Sequence, residues 1–262
     1  MSYPEEIKEE QEKTQVSYEI LNVTQEDMRV IPQKEVRIDL SQVEEDYLIT
    51  DGGDYLLEGE YDYTLYVDAE DKIVHLFLDN VNINSNTGAA ICIKSAGKVI
   101  ITLLENSSNL LVDAPIREGN IEEKAAIISN TDITINGFGS LSVLGYYGDG
   151  IRTKDILKVL DSEIYVQTKG DGLRGSDGIL LQNSNLKVES EKVGLLTNNI
   201  GKNGKGTLAI NGGELSVVSG DYAILVQQDL SISDCELKIK GVKGKFYVGG
   251  NEYIDEECLI YE

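Results

Sequence analysis

Two segments of this 262-residue chain carry acids and bases in the same order. Asp149-Gly-Ile-Arg152-Thr-Lys154-Asp155 is followed, 22 residues on, by Asp171-Gly-Leu-Arg174-Gly-Ser-Asp177. Stacked side by side as strand neighbours, Asp149 meets Asp171, Arg152 meets Arg174 and Asp155 meets Asp177, each about 4.8 Å apart. Carboxylates that close repel each other and need compensation. A hard cation supplies it: Ca²⁺ takes about six to eight oxygens, and Gly/Asp corners offer both carboxylate and carbonyl oxygens. Asp149, Asp155, Asp171 and Asp177 are therefore candidate calcium ligands. A second chemistry needs no metal. The carboxylates can cap corner amides as Asx turns, with Arg152, Lys154 and Arg174 neutralising them. A third is polysaccharide lysis, in which a cation acidifies the proton alpha to a uronate carboxylate and Lys154, Arg152 or Arg174 removes it. Paired carboxylates would also serve an inverting hydrolase. Acids are too abundant for the sequence to select a pair, so no catalytic residue is assigned.

Tyrosine is the main aromatic residue, with 14 against three Phe and no Trp. Tyr146, Tyr147 and Tyr165 lie in or beside the acidic corners. Their rings can cover the C–H faces of sugars while nearby polar groups bond the hydroxyls. With Arg152 and Arg174 they are the candidate carbohydrate contacts. Tyr55, Tyr61, Tyr63 and Tyr66 cluster upstream, although strands favour tyrosine in any case.

The elements that position these residues come from a repeat. Ile133–Asp155, Ile156–Gly178 and Thr207–Asp229 are each 23 residues long and share one plan: two short alternating runs, a Gly/Asp corner, and a third run. A closing column reads Asp132, Asp155, Asp177, Asn199 and Asp229; an apolar column reads Leu141, Ile164, Leu186, Leu215 and Leu237. Both columns lengthen at the same step, where Gly201–Gly206 inserts a loop. Alternation of period two marks strands, and Asn-Gly, Gly-Gly and Gly-Asp mark turns, with Asn136-Gly137 and Asn211-Gly212-Gly213 as turn columns. The expected fold is all-β: a single parallel β-helix, a solenoid of 22–23 residues per coil. Residues 1–15 read as a disordered acidic tail, 16–45 as an N-terminal cap, 46–245 as the coils and 246–262 as a C-terminal cap. Residues 115–124 read as a charged surface loop.

The net charge of −23, from 46 acidic and 23 basic residues, excludes nucleic acid as a partner, because phosphate backbones need Lys and Arg. It also repels anionic polysaccharides unless a cation bridges them. No apolar run is long enough to span a membrane, and residues 1–15 hold no signal-peptide core. Three cysteines, Cys92, Cys235 and Cys258, are too few and scattered for a disulfide framework or a zinc site. His75, the one histidine, sits in an apolar strand with no nucleophile elbow elsewhere.

The run from Leu78 to Leu111, followed by Asp132-Ile-Thr-Ile-Asn-Gly, Gly148-Asp-Gly-Ile-Arg-Thr-Lys-Asp and Gly170-Asp-Gly-Leu-Arg-Gly-Ser-Asp, resembles a secreted bacterial carbohydrate-binding β-helix family over residues 46–245. The resemblance implies a right-handed β-helix similar to pectate lyases, located in the secreted or cell-surface compartment. It also implies binding of plant cell-wall polysaccharides, including acidic ones, with calcium on Asp149, Asp155, Asp171 and Asp177. The family pattern departs at Lys192-Val-Gly-Leu195, where a third acidic corner is missing, and at Thr153 and Gly175, where serine is usual. The expected function is therefore non-catalytic, calcium-assisted polysaccharide binding. The alternatives are a calcium-dependent pectate-like lyase and a structural surface rod without a glycan.

Overall fold

The computed structural model describes residues 18–117, 123–201 and 203–262. The acidic tail expected over residues 1–15 lies outside these, as does half of the loop expected over 115–124, residues 118–122. Among the described residues every strand pairing is parallel, in one sheet of fourteen strands and one of nine. No helix among them is long and apolar enough to cross a membrane.

The single right-handed solenoid is corrected by the pairing of the larger sheet. Eight of its strands close a ring: Ile156–Leu160, Ile133–Asn136, Lys98–Leu103, Ile73–Asn84, Ser108–Val112, Ser140–Gly145, Glu163–Thr168 and Gly178–Ser190, which pairs back to Ile156–Leu160. The result is a closed parallel eight-strand barrel in its hydrogen bonding, with the nine-strand parallel sheet beside it. The physical reason lies at the corners. Two runs that read as separate strands in the sequence are one bent strand wherever a left-handed residue turns the chain without breaking the ladder. Asn80 does this in Ile73–Asn84 (φ 55°) and Asn183 in Gly178–Ser190 (φ 48°). Asparagine tolerates that region better than most residues. The first half of Gly178–Ser190 pairs with Ile156–Leu160 and its second half with Glu163–Thr168, so the bent strand joins the two flanks and closes the ring.

The 22-residue recurrence is the stacking register. Ile151 pairs with Leu173, Leu173 with Leu195 and Ile224 with Phe246, while the inserted loop falls between Leu195 and Ile224. Leu141, Ile164, Leu186, Leu215 and Leu237 form a continuous inward column, each side chain at most 4% exposed. Each contributes about 1.5–3 kcal/mol by leaving water.

Residues 18–33 lie against the outside of the larger sheet. Leu21 packs on Leu160, Leu180 and Ala209. Asp27, fully buried, accepts from Thr134 Oγ1 at 2.5 Å, Lys98 Nζ at 2.9 Å and Lys158 Nζ at 3.1 Å. Burial pushes its carboxyl up, but the hydrogen bonds from Thr134, Thr24 and Lys98 overcome this and hold it well below the usual range. Arg29 grips Asp54 with two bonds of 2.7 Å, and Glu35–Asp39 then pairs with Gly53–Tyr61. His75 lies beneath this segment, bonded to Thr102 at 2.6 Å and stacked 4.0 Å from Phe77. Burial, then Arg29, lowers its pKa to about 3, so it is a neutral interior residue.

Candidate functional site

The first of the expected calcium corners, Asp149 with Asp171, is built as amide caps. Asp149 Oδ1 accepts the Asp171 N–H at 2.9 Å, and Asp171 Oδ1 accepts the Val193 N–H at 3.2 Å. Each carboxylate thus satisfies a backbone donor one repeat further on. The outer oxygens face Arg152 at 3.5 Å and Arg174 at 3.8 Å. Burial, then the Asp149 charge, raises the Asp171 pKa. Asp177 bonds Asn199 Nδ2 and takes Lys205 Nζ at 2.5 Å. Asp155 stands between Asp132 and Asp177, and burial followed by those two charges raises its pKa. The four aspartates therefore form two separate corners, in which Asp149, Asp171 and Asp177 already face donors. Among the described residues no group of three or more His, Cys, Asp or Glu is placed to share a metal. At Asp149 and Asp171 the amide caps and guanidinium partners leave few carboxylate oxygens for a calcium ion.

The proposed carbohydrate contacts fall in three places. Tyr147 lies beneath Arg117, whose guanidinium carbon is 4.7 Å from the ring centroid. The buried Asp113–Arg117 pair, at 2.6 Å, fixes this turn, and Asp113 also accepts the Tyr146 N–H at 2.6 Å. Tyr146 itself is exposed. Tyr165 borders a groove of about 460 Å³ on the larger sheet. Alternation sends Ile164 inward and Tyr165 outward, and the outward column continues through Lys187, Ser216 and Lys238 to Tyr261. Lys187 sits 5.1 Å over the Tyr165 ring and 2.7 Å from Glu189, which also accepts the Tyr165 hydroxyl at 3.2 Å. Lys238 pairs with Glu236 at 2.9 Å. The groove's cations are thus neutralised within the protein. Of the upstream tyrosines, Tyr61 is interior, its hydroxyl donating to Glu45 O at 2.7 Å.

Arg152 belongs to a different surface. On the nine-strand sheet a cavity of about 670 Å³ is lined by Lys94, Lys124, Arg152 and Lys154, with Glu123 the one carboxylate among its lining residues. The register assembles it. Ile93 pairs with Ser129 and Ser129 with Thr153, so Lys94, Asn130 and Lys154 follow one another across three strands. Asn130 Nδ2 ties the column together by donating to Lys94 O at 2.9 Å. Lys94 Nζ lies 4.2 Å over Tyr66, whose pKa burial and then Glu123 raise to about 12. Among the described residues no carboxylate comes within ion-pair distance of Lys94, Lys124 or Lys154. Arg174 stacks on Arg152 in the next repeat. Its Nε is buried without a partner, and burial, then Arg152, lowers its pKa.

Sequence reading missed Lys94, Lys124 and Asn130. The available signal was the alignment of Ile91-Cys-Ile-Lys94, Ile127-Ile-Ser-Asn130 and Ile151-Arg-Thr-Lys154, which places the three polar residues in one column.

Exposed columns of tyrosine, amine and carboxylate on a stacked parallel scaffold define a class of rigid surfaces suited to hydroxyl-rich and charged ligands. The chain belongs to the carbohydrate-binding domain family: the family model described as "Carbohydrate-binding domain-containing protein" matches residues 43–255. A curated relative of the same description from Acetivibrio thermocellus is 34% identical over 212 residues, covering 79% of this chain and 74% of the relative. A solved structure titled a polysaccharide lyase-like protein from C. thermocellum, a gadolinium derivative, superposes with a TM-score of 0.82 at 29% identity, covering 87% of this chain and 99% of that one.

Proposed function

We propose that the protein binds an acidic, uronate-bearing polysaccharide of the plant cell-wall type through the cavity lined by Lys94, Lys124, Arg152 and Lys154. One observation carries this reading: a chain of net charge −23 keeps three lysines of one cavity free of ion pairs among the described residues. Amines without a carboxylate partner among the described residues are available to ligand carboxylates, and charge-assisted hydrogen bonds are stronger than neutral ones. The local cations remove the need for a bridging metal. On this reading the protein works outside cells or at the cell surface, where such polysaccharides lie. Affinity electrophoresis in EDTA tests the reading. Retardation by polygalacturonate exceeding that by a neutral glucan is expected; equal mobility in both gels would reject it.

Polysaccharide lysis is a second reading, favoured by the lowered pKa of Arg174 and its unpartnered Nε. A growing ultraviolet absorbance from unsaturated products would support it, and a flat trace across a range of pH values would eliminate it.

A further inference from the structure

Cys235 and Cys258 are 23 residues apart, the length of one repeat. Cys235 lies in strand Leu230–Gly241, and Cys258 immediately precedes the last strand, Leu259–Tyr261. These strands pair in parallel from Glu236 and Leu259 onward, so the two cysteines face each other one step earlier. Opposed residues on neighbouring strands stand about 4.8 Å apart, within the Cα separation of roughly 4.4–6.8 Å that a disulfide spans. Their Sγ atoms are 3.7 Å apart as free thiols. A local turn fixes Cys258, whose N–H donates to Asp255 O at 3.0 Å, while the Glu257 N–H donates to Asp255 Oδ1 at 3.1 Å. The strand that follows is held by three register pairs, with Leu259 and Tyr261 both exposed.

We propose that Cys235 and Cys258 form a disulfide that fastens the last strand to the sheet, closed by exchange with an external disulfide. Cys258 is the more accessible thiol, so its thiolate attacks the external disulfide, forms a mixed disulfide and releases one thiolate. Cys235 then attacks the Cys258 sulfur through its own thiolate and expels the second. The external disulfide is reduced to two thiols, which take up the two protons given up by the cysteines, and the protein loses two hydrogens. The crosslink closes a loop that includes strand Glu252–Ile254, so it stabilises chiefly by restricting the unfolded chain. Tyr261 pairs with Lys238 at the end of the Tyr165 groove, so the bond also fixes that end. Its consequence for ligands rests on the glycan reading; the pairing itself does not. Cys92 is buried in the other sheet and takes no part.

Oxidation of the full chain with oxidised glutathione, followed by denaturation, alkylation and mass spectrometry, tests the pair. Alkylatable thiols should fall from three to one, with Cys92 the alkylated residue and a linked Cys235–Cys258 peptide in a non-reducing digest. The oxidised protein should melt several degrees above the reduced one, and Cys258→Ser should abolish that difference. Three alkylatable thiols after oxidation, a glutathione adduct that remains on Cys258, or a link involving Cys92 would each overturn the proposal.

Discussion

The groove beside Tyr165 and the cavity beside Arg152 are built from the same residue types, yet their charges are arranged in opposite ways. In the groove, Lys187 is held by Glu189 at 2.7 Å and Lys238 by Glu236 at 2.9 Å. Both its lysines are paired, Glu163 and Glu214 add further carboxylates to its lining, and its Tyr165 ring is already covered on one side by Lys187. In the cavity, Arg152 leans toward Asp149 at 3.5 Å, while Lys94, Lys124 and Lys154 have no such partner among the described residues. Surface charge totals therefore predict little about a local site. A strongly acidic chain can present a cationic cavity if its carboxylates are used elsewhere, and Asp149, Asp171 and Asp27 are used on backbone amides and buried partners.

The largest expected effect lies outside both surfaces and serves as their control. Asp27→Ala leaves Lys158 buried without its carboxylate and should cost about 3–5 kcal/mol in chemical denaturation. The pH dependence has a fixed sign. Because the folded carboxyl is held below its unfolded value, Asp27 contributes stability above the ordinary carboxylate range and loses it as pH falls through the folded pKa. The variant should therefore lose less stability on acidification than the parent, measured by melting temperature between neutral and acid pH. A change in glycan preference would break the comparison, since it would make the segment over the sheet part of the binding surface.

Lys94→Ala should weaken polygalacturonate binding by about tenfold, the loss of one charge-assisted contact, whereas Lys187→Ala should change it by less than about twofold, as for an exposed pair. Comparable losses in calorimetry would erase the distinction between the surfaces. Tyr165→Ala should weaken a neutral oligosaccharide by a few-fold and leave the acidic one unaffected; the reverse pattern would move the uronate site to the groove. Asp149→Asn and Asp171→Asn should leave Ca²⁺ titrations unchanged, because the carboxylates cap amides. A saturable calcium isotherm that disappears in either variant would restore the corner as a metal site.

The parts legible in the sequence are those written at constant period. The Leu141-to-Leu237 column is visible because identical packing recurs every repeat, and the Asp149/Asp171 stacking follows from the same count. Closure of the larger sheet was not legible. Asn80 and Asn183 look like turn residues, and only φ distinguishes a chain reversal from a bend inside a continuous strand. The cavity was hidden because the segment between Val112 and Ala125 disrupts the count linking Lys94 to Asn130. Asp27 was unreadable for another reason: Lys98, Thr134 and Lys158 lie 71, 107 and 131 residues away, at no periodic offset from it. The Cys235–Cys258 spacing equals one repeat and was readable in principle, once the last strand was recognised as part of the stack.

The most direct measurement is a calorimetric titration of a polygalacturonate oligomer, in EDTA, into the parent protein and into the double variant Arg152→Glu, Lys154→Glu. Saturable metal-independent binding by the parent and a loss of about 100-fold in the variant, roughly two charge-assisted contacts, is the expected result. Equal affinities in the two proteins, or binding that emerges only when Ca²⁺ is restored, would contradict the assignment of the cationic cavity as the polysaccharide site.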